Sequence, residues 1–161
     1  MVADVEALKR RTCEEIEKRK DEIIEIGNDI FTHPELGYKE FRTSDIVGSM
    51  FKKMGLSYEE GLAITGKKAR VRGRDHRLNV CIMGELDSVL CPNHPHADPK
   101  TGAAHSCGHN GQVASMLGAG FGLVFSGAMD SLDGDVTLMG VPSEEYVEIE
   151  YRNSLRLAGK I

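Results

Sequence analysis

The sequence lacks any apolar run near the ~20 residues that a membrane-spanning helix requires. It also lacks an N-terminal basic stretch followed by an apolar one, so no secretory signal is expected. Lys and Arg are not gathered into clusters, and the formal net charge is -5. Because phosphate binding needs basic side chains concentrated on one face, these features argue against a nucleic-acid surface. We therefore expect neither membranes nor nucleic acids among the partners.

Cysteine is scarce, and no two cysteines form a Cys-x-x-Cys pair. The four are irregularly spaced: Cys13, Cys81, Cys91 and Cys107. This pattern argues against both a disulfide framework and a four-thiolate zinc site, and it favours a reducing, cytoplasmic location. What the chain does have is 161 residues with 40% hydrophobic content, which is enough for one domain with its own core.

Apolar residues at helical spacing predict two helices in the first third of the chain. The first covers residues 5–31 and closes before His33-Pro34, because the residue that precedes a proline disfavours helix. The second covers residues 40–54 and stops at Gly55, a residue typical of helix ends. Both helices are expected to pack on the rest of the fold.

The middle of the chain changes to the period of strands, with predicted strands at 69–71 and 78–83. Three prolines and Gly102 predict a long loop over 85–105. The remaining predicted elements are a buried helix at 113–125, a strand at 136–141 and a charged helix at 144–157. This order of helices and strands predicts an α/β fold.

Three polar clusters fall where a predicted strand ends or a predicted helix begins: Glu85-Leu86-Asp87, residues 105–110, and Ser143-Glu144-Glu145. In an open α/β sheet the ligand crevice lies beyond the carboxyl ends of the strands. We therefore expect the three clusters to converge there.

Cys107 and His109 are separated only by Gly108, so in a loop their side chains can point the same way. A thiolate and an imidazole suit a divalent ion such as Zn²⁺, and the N-terminus of the following helix would lower the pKa of the thiol. The alternatives are a buried loop cysteine beside hydrogen-bonding histidines, or a thiol-reactive protein that uses Cys107.

Glu144 and Glu145 directly follow a predicted strand, so one carboxylate can bind metal while the other takes a proton from the attacking water. The alternative is an acid-rich helix N-terminus with Ser143 as its cap. Asp87 follows the strand at 78–83 and can accept a hydrogen bond from an imidazole, which would fix its tautomer.

Together the clusters resemble the amidohydrolase branch of the aminoacylase and carboxypeptidase family. The motifs that carry this resemblance are His33-Pro34-Glu35-Leu36-Gly37 with Glu40, Gly84-Glu85-Leu86-Asp87-Ser88-Val89, His105-Ser106-Cys107-Gly108-His109-Asn110, and Pro142-Ser143-Glu144-Glu145. The Gly-Glu-Leu-Asp form and the loop at 94–98 look closer to aminobenzoyl-glutamate hydrolases than to hippurate hydrolases. The resemblance implies a partial zinc-peptidase-like mixed sheet flanked by helices.

The resemblance also implies roles for five residues. Cys107 would be the thiolate shared between two divalent ions, Zn or Mn, with His109 and Glu145 as further ligands. Glu144 would be the general base and Asp87 an orienting acid. The implied substrate is a small molecule with an amide bond, either an N-acyl amino acid or a small peptide.

Members of this family are longer than this chain. Residues 1–161 therefore resemble the N-terminal portion of a truncated catalytic domain, without two further histidine ligands, the dimerisation domain and the C-terminal catalytic portion. A truncated sheet has an exposed edge, which is expected to allow self-association. The isolated chain is expected to be inactive, and the alternative function is a non-catalytic remnant or interaction fragment with weak metal binding.

Overall fold

The computed structural model describes residues 4–161. The first two helices are α1, Val5–Lys18, and α2, Lys20–Thr32. The single helix predicted for 5–31 is therefore wrong, because the backbone leaves the helical region at Arg19 (φ -114°, ψ 10°). The Arg19 guanidinium lies 4.1 Å from the ring centroid of Phe125, and the bend lets both helices pack against the helix that contains that ring.

The third helix, α3, runs from Phe41 to Lys53. It matches the prediction for 40–54 and is followed by Gly55 at φ 73°. Two strands come next, β1 at Tyr58–Leu62 and β2 at Gly66–Val71. β1 was not predicted from the sequence, because its central residues are polar and exposed and give no apolar alternation.

The remaining elements alternate between strands and helices. They are β3 at Asp75–Glu85, β4 at Val89–Leu90, β5 at Ala103–Ala104, α4 at His109–Phe125, a short 3₁₀ helix at Ala128–Ser131, β6 at Asp133–Val141 and α5 at Ile149–Leu157. β4 and β5 pair within the predicted loop at 85–105. The helix predicted for 144–157 begins only at Ile149, so Glu144 and Glu145 belong to a turn.

The main sheet has the strand order β1-β2-β6-β3 and is mixed. β2 is antiparallel to β1 and β6, whereas β3 is parallel to β6 in a register that ends at Glu85↔Val141. The carboxyl ends of β3 and β6 therefore lie side by side. The predicted α/β fold, a mixed sheet flanked by helices, is confirmed.

The core lies between the sheet and the helices α2, α3 and α4. Its most deeply buried side chains include Ile30, Val47, Phe51, Val113, Leu117, Phe121 and Leu138. α4 approaches β3 closely because Gly84 has no side chain: a Cβ there would lie 2.9 Å from the Cα of Val113. This contact fixes the start of α4 beside the end of β3.

β3 is an edge strand, since β6 is its one neighbour among residues 4–161. Three apolar side chains of β3 are exposed: Leu78, Val80 and Met83. Among residues 4–161, β3 and β1 are the two edges of the main sheet. No helix within residues 4–161 has both the length and the apolar character needed to cross a membrane.

Candidate metal centre

The structure brings the three polar clusters together at one end of the sheet. Glu85 is the last residue of β3, and Ser143 follows β6 by two residues. The backbone N–H of Leu86 donates to the Val141 carbonyl at 2.9 Å, which holds the two strand ends side by side. His109 begins α4 directly above them.

His109 is the centre of the cluster and is buried. Its Nε2 lies 2.9 Å from Oε2 of Glu85 and 3.8 Å from a carboxylate oxygen of both Glu144 and Glu145. Its Nδ1 lies 2.8 Å from the Asp87 carbonyl. The Asp87 carboxylate, followed by this carbonyl and Glu85, outweighs burial and raises the pKa of His109 to about 9. Because Nδ1 faces the carbonyl oxygen and donates to it, Nε2 is the atom that can bind metal.

Asp87 is fully buried and makes two kinds of contact. Its Oδ1 accepts from the backbone N–H of Glu144 and its Oδ2 from that of Glu145, each at 3.1 Å. The carboxylate is farther from the imidazole, with Oδ1 3.4 Å from Nδ1 of His109. Asp87 therefore orients His109 mainly through its backbone carbonyl, while its carboxylate holds the turn that carries Glu144 and Glu145.

Glu144 and Glu145 do not belong to a helix N-terminus, which was the alternative interpretation of this motif. α5 begins four residues later, at Ile149, and Ser143 has a left-handed backbone (φ 50°) that is uncommon for a non-glycine residue. The Glu144 side chain is half-exposed, whereas that of Glu145 is mostly buried. The two side chains thus differ in exposure, although both carboxylates lie 3.8 Å from Nε2 of His109.

Cys107 lies in the loop before α4, next to Glu145. A hydrogen bond with the Glu145 carboxylate, together with burial and the charges of Glu145, Glu144 and Asp87, raises the pKa of the thiol to about 11. The expectation that the N-terminus of α4 lowers this pKa is wrong, because the carboxylates dominate the local field. A thiol with so high a pKa is a poor nucleophile at neutral pH, which argues against thiol chemistry in the metal-free chain.

Glu85 is a candidate ligand that sequence reasoning left without a role. One ligand atom each from Glu85, His109 and Glu144 lie within 4.8 Å of one another. The set predicted from the sequence was Cys107, His109 and Glu145, so His109 belongs to both sets. The available signal was the position of Glu85 at the end of an apolar strand, which is where ligand-binding side chains collect.

The donor set fits a divalent cation. Carboxylates, an imidazole and a thiol are the ligands of Zn²⁺, and carboxylates and imidazole also suit Mn²⁺. Next to them, His105 is buried and neither ring nitrogen has a hydrogen-bond partner within residues 4–161. Burial, followed by repulsion from His109, lowers the pKa of His105 to about 4. His105 is therefore neutral at physiological pH.

Comparison with solved structures shows the fold. A dinuclear metal-binding peptidase of the M20 family from Bacillus subtilis superimposes with a TM-score of 0.70 at 23% identity, over 86% of this chain and 41% of the peptidase. An aminobenzoyl-glutamate utilization protein from Klebsiella pneumoniae superimposes with a TM-score of 0.62 at 17% identity, over 84% of this chain and 39% of that protein. No family model matches the chain.

Curated relatives give the ancestry. Thermostable carboxypeptidase 1 of Saccharolobus solfataricus is 32% identical over 81% of this chain and 34% of the relative. The IAA-amino acid hydrolase ILR1-like 4 of Arabidopsis thaliana is 32% identical over 78% of this chain and 28% of the relative. The N-acetyl-L-cysteine deacetylase of Bacillus subtilis is 28% identical over 77% of this chain and 30% of the relative. The chain spans about a third of the length of these proteins, and it belongs to the aminoacylase and carboxypeptidase family.

Proposed function

We propose that this end of the sheet binds divalent metal and, in a chain of the relatives' full length, hydrolyses the amide bond of an N-acyl amino acid or small peptide. The observation that carries the proposal is the convergence of Glu85, His109 and Glu144 within 4.8 Å, with Cys107 close enough to Glu145 for that carboxylate to raise the pKa of its thiol. An imidazole beside several carboxylates is a donor set for metal.

The ligands in this proposal are Cys107, His109 through Nε2, and Glu145, with Glu85 as an additional carboxylate. Two ions, Zn or Mn, would need more donors than these, because a catalytic Zn²⁺ usually takes three protein ligands. When bound, a divalent ion lowers the pKa of a water molecule and polarises the amide carbonyl.

Glu144 is the proposed general base. Its half-exposed carboxylate can reach a water molecule in the crevice, and its backbone N–H is tied to Asp87. The carboxylate takes a proton as the water oxygen bonds to the amide carbon, and it delivers that proton to the nitrogen as the carbon–nitrogen bond breaks. Asp87 holds Glu144 in place for both transfers.

The activities named for the relatives support this class of substrate. A carboxypeptidase, an IAA-amino acid hydrolase and an N-acetyl-L-cysteine deacetylase each act on a compound with an amino-acid part. We also propose a cytoplasmic location, because Cys107 can serve as a ligand only while its thiol stays reduced.

The test is calorimetric titration of the 161-residue chain with Zn²⁺ and, separately, Mn²⁺. We expect weak, pH-dependent binding that is lost in Cys107→Ala and kept in Cys13→Ala, an exposed cysteine of α1. Equal binding by both variants would contradict the site. Hydrolysis of N-acetyl-methionine or aminobenzoyl-glutamate by the chain alone, abolished in Glu144→Gln, would show that these residues form a complete catalyst.

The second candidate is a non-catalytic interaction fragment that binds metal weakly. The unpaired edge of β3, with three exposed apolar side chains, favours it. Such an edge offers backbone groups to a further strand, so we propose self-association through β3. Concentration-dependent self-association of the 161-residue chain is the result that this candidate requires.

A further inference from the structure

Arg152 of α5 hydrogen-bonds the turn that carries Glu144 and Glu145. Its Nη2 donates to the Ser143 carbonyl at 2.7 Å, to the Ser143 Oγ at 2.9 Å and to the Glu145 carbonyl at 3.0 Å. Its Nη1 donates to the Tyr38 hydroxyl at 3.2 Å. The guanidinium carbon is 5.2 Å from the ring centroid of Tyr38 and 4.6 Å from that of Tyr146. The guanidinium is thus held in one orientation.

The backbone of the turn is strained at Ser143, and contacts with neighbouring residues keep it in that conformation. Ser143 has φ 50°, and its N–H donates to the buried Glu40 carboxylate at 2.8 Å. A Cβ at Gly37 would lie 2.3 Å from the Ser143 Oγ, so only glycine fits there. A non-glycine residue keeps this backbone conformation only when its surroundings over-determine it, and such positions cluster at functional sites.

Three side chains hydrogen-bond the backbone N–H and carbonyl groups of this turn. Glu40 accepts the Ser143 N–H, and Asp87 accepts the N–H groups of Glu144 and Glu145. Arg152 donates to the carbonyls of Ser143 and Glu145. Two carboxylates therefore hold the N–H side of the turn, and one guanidinium holds the carbonyl side.

We propose that Arg152 is a positioning residue that directs Glu144 and Glu145 into the metal centre. The benefit of this positioning rests on the proposed function. The hydrogen bonds from Arg152 to the turn do not depend on a bound metal. It goes beyond the family motifs, because Arg152 lies outside all four of them. Charge-assisted bonds from Nη2 to two carbonyls, with Nη1 of the same planar group held by Tyr38, fix direction as well as distance.

A merely structural role would be to anchor α5, and Arg156 provides the matched control. It lies one turn further along α5, and its side chain hydrogen-bonds only Asn153 among residues 4–161. Arg152→Gln and Arg156→Gln remove the same charge from the same helix. They differ in whether the Ser143–Glu145 turn loses its carbonyl contacts.

The experiment is amide hydrogen exchange in the 161-residue chain with chelator, followed by Co²⁺ titration of the same variants. Loss of charge-assisted bonds predicts that Arg152→Gln speeds exchange of the Glu144 and Glu145 amides about tenfold or more. Exchange in α4 should stay unchanged, and Arg156→Gln should match the parent. Unchanged exchange at residues 144–145 in Arg152→Gln would overturn the proposal.

Co²⁺ titration tests whether Arg152 positions the metal ligands, because a Cys107–Co²⁺ bond gives a charge-transfer absorption band. We expect Arg152→Gln to bind Co²⁺ about tenfold more weakly, and Arg152→Lys, which keeps the charge but not the fork, to fall between it and the parent. If Arg152→Gln does not fold, the Arg152→Lys comparison decides, and parent-like exchange and affinity there would overturn the proposal. A parent that binds no Co²⁺ overturns the proposed function. The hydrogen-exchange result still decides whether Arg152 holds the turn at residues 143–145.

Discussion

Nε2 of His109 lies 2.9 Å from Oε2 of Glu85, so the first residue of α4 is paired with the last residue of β3. The imidazole uses its other nitrogen on the Asp87 carbonyl. The pair therefore aims a metal-binding nitrogen into the space shared by the carboxylates. This relationship makes Glu85 the residue whose role is most worth testing.

Replacing Glu85 with Gln keeps its size and removes its charge. Because the Glu85 carboxylate helps to raise the pKa of His109, we expect that pKa to fall from about 9 towards its ordinary value. We also expect Zn²⁺ affinity to fall about tenfold. NMR titration of the His109 ring and calorimetry measure the two effects. Glu59→Gln, on the exposed strand β1, is the matched control, and the assignment of Glu85 is wrong if both variants behave alike.

Stability of the metal-free chain should fall on the acid side of neutrality because of His105. Its folded pKa of about 4 lies below the ordinary 6.5, so the unfolded chain binds more protons between these values. The stability that neutral His105 allows is therefore present above pH 6.5 and is lost as the pH falls towards 4, by up to ~3 kcal/mol. In thermal unfolding with chelator, the melting temperature of His105→Phe should fall less than that of the parent as the pH is lowered. The same fall in both proteins would contradict this.

On the alkaline side of neutrality, His109 has the opposite effect: its contribution to folding stability falls as the pH rises. Its folded pKa of about 9 lies above 6.5, so its contribution to stability is fully present below pH 6.5 and is lost as the pH rises through 9. The same unfolding series, extended to alkaline pH, should show this loss in the parent and not in His109→Gln. A parent whose melting temperature is flat from pH 6.5 to 9 would refute the charged Asp87–His109–Glu85 arrangement.

The β3 edge predicts concentration-dependent association. Val80 is 63% exposed on this edge, and Ile24 is 57% exposed on α2, away from it. We expect Val80→Lys to weaken self-association about tenfold or more and Ile24→Lys to leave it unchanged, because a charged edge resists strand pairing. Sedimentation velocity over a range of concentrations measures both. A monomeric parent would eliminate self-association through β3.

Two glycines test how tightly α4 approaches the sheet. A Cβ at Gly84 would lie 2.9 Å from the backbone of Val113, whereas one at Gly111 of α4 would meet nothing within 4 Å. Gly84→Ala should destabilise the fold by about 1–3 kcal/mol through overpacking. Gly111→Ala should stabilise it by about 0.5–1 kcal/mol, because alanine loses less entropy in a helix. Urea unfolding measures both, and equal midpoints would contradict the close contact.

Segments with strong local patterns could be predicted from the sequence. The apolar run at 113–125 lies within α4, and the run at 78–83 lies within β3. Apart from Ser115 and Asn79 these segments carry no polar side chain, so the pattern is present in a short window. β1 could not be predicted, because its polar residues become a strand only by pairing with β2.

Boundaries that depend on distant contacts could not be predicted either. The break at Arg19 follows from its contact with Phe125 and from the packing of α1 and α2 on α4. The late start of α5 follows from the strained Ser143, which Arg152 and Glu40 hold from opposite sides. Neither contact leaves a mark on the local sequence.

The chemistry of the site and the order of its residues could be recognised in the sequence, because side-chain type is a local property. Cys107, His109, Glu144, Glu145 and Asp87 were all chosen as candidates in this way. Which of their atoms meet was decided by the tertiary structure alone. The parallel register of β3 and β6, together with Gly84 beneath α4, brings three distant segments to one point. The contact between Glu85 and His109 exists only after that pairing has formed, because no short stretch of the chain contains both partners.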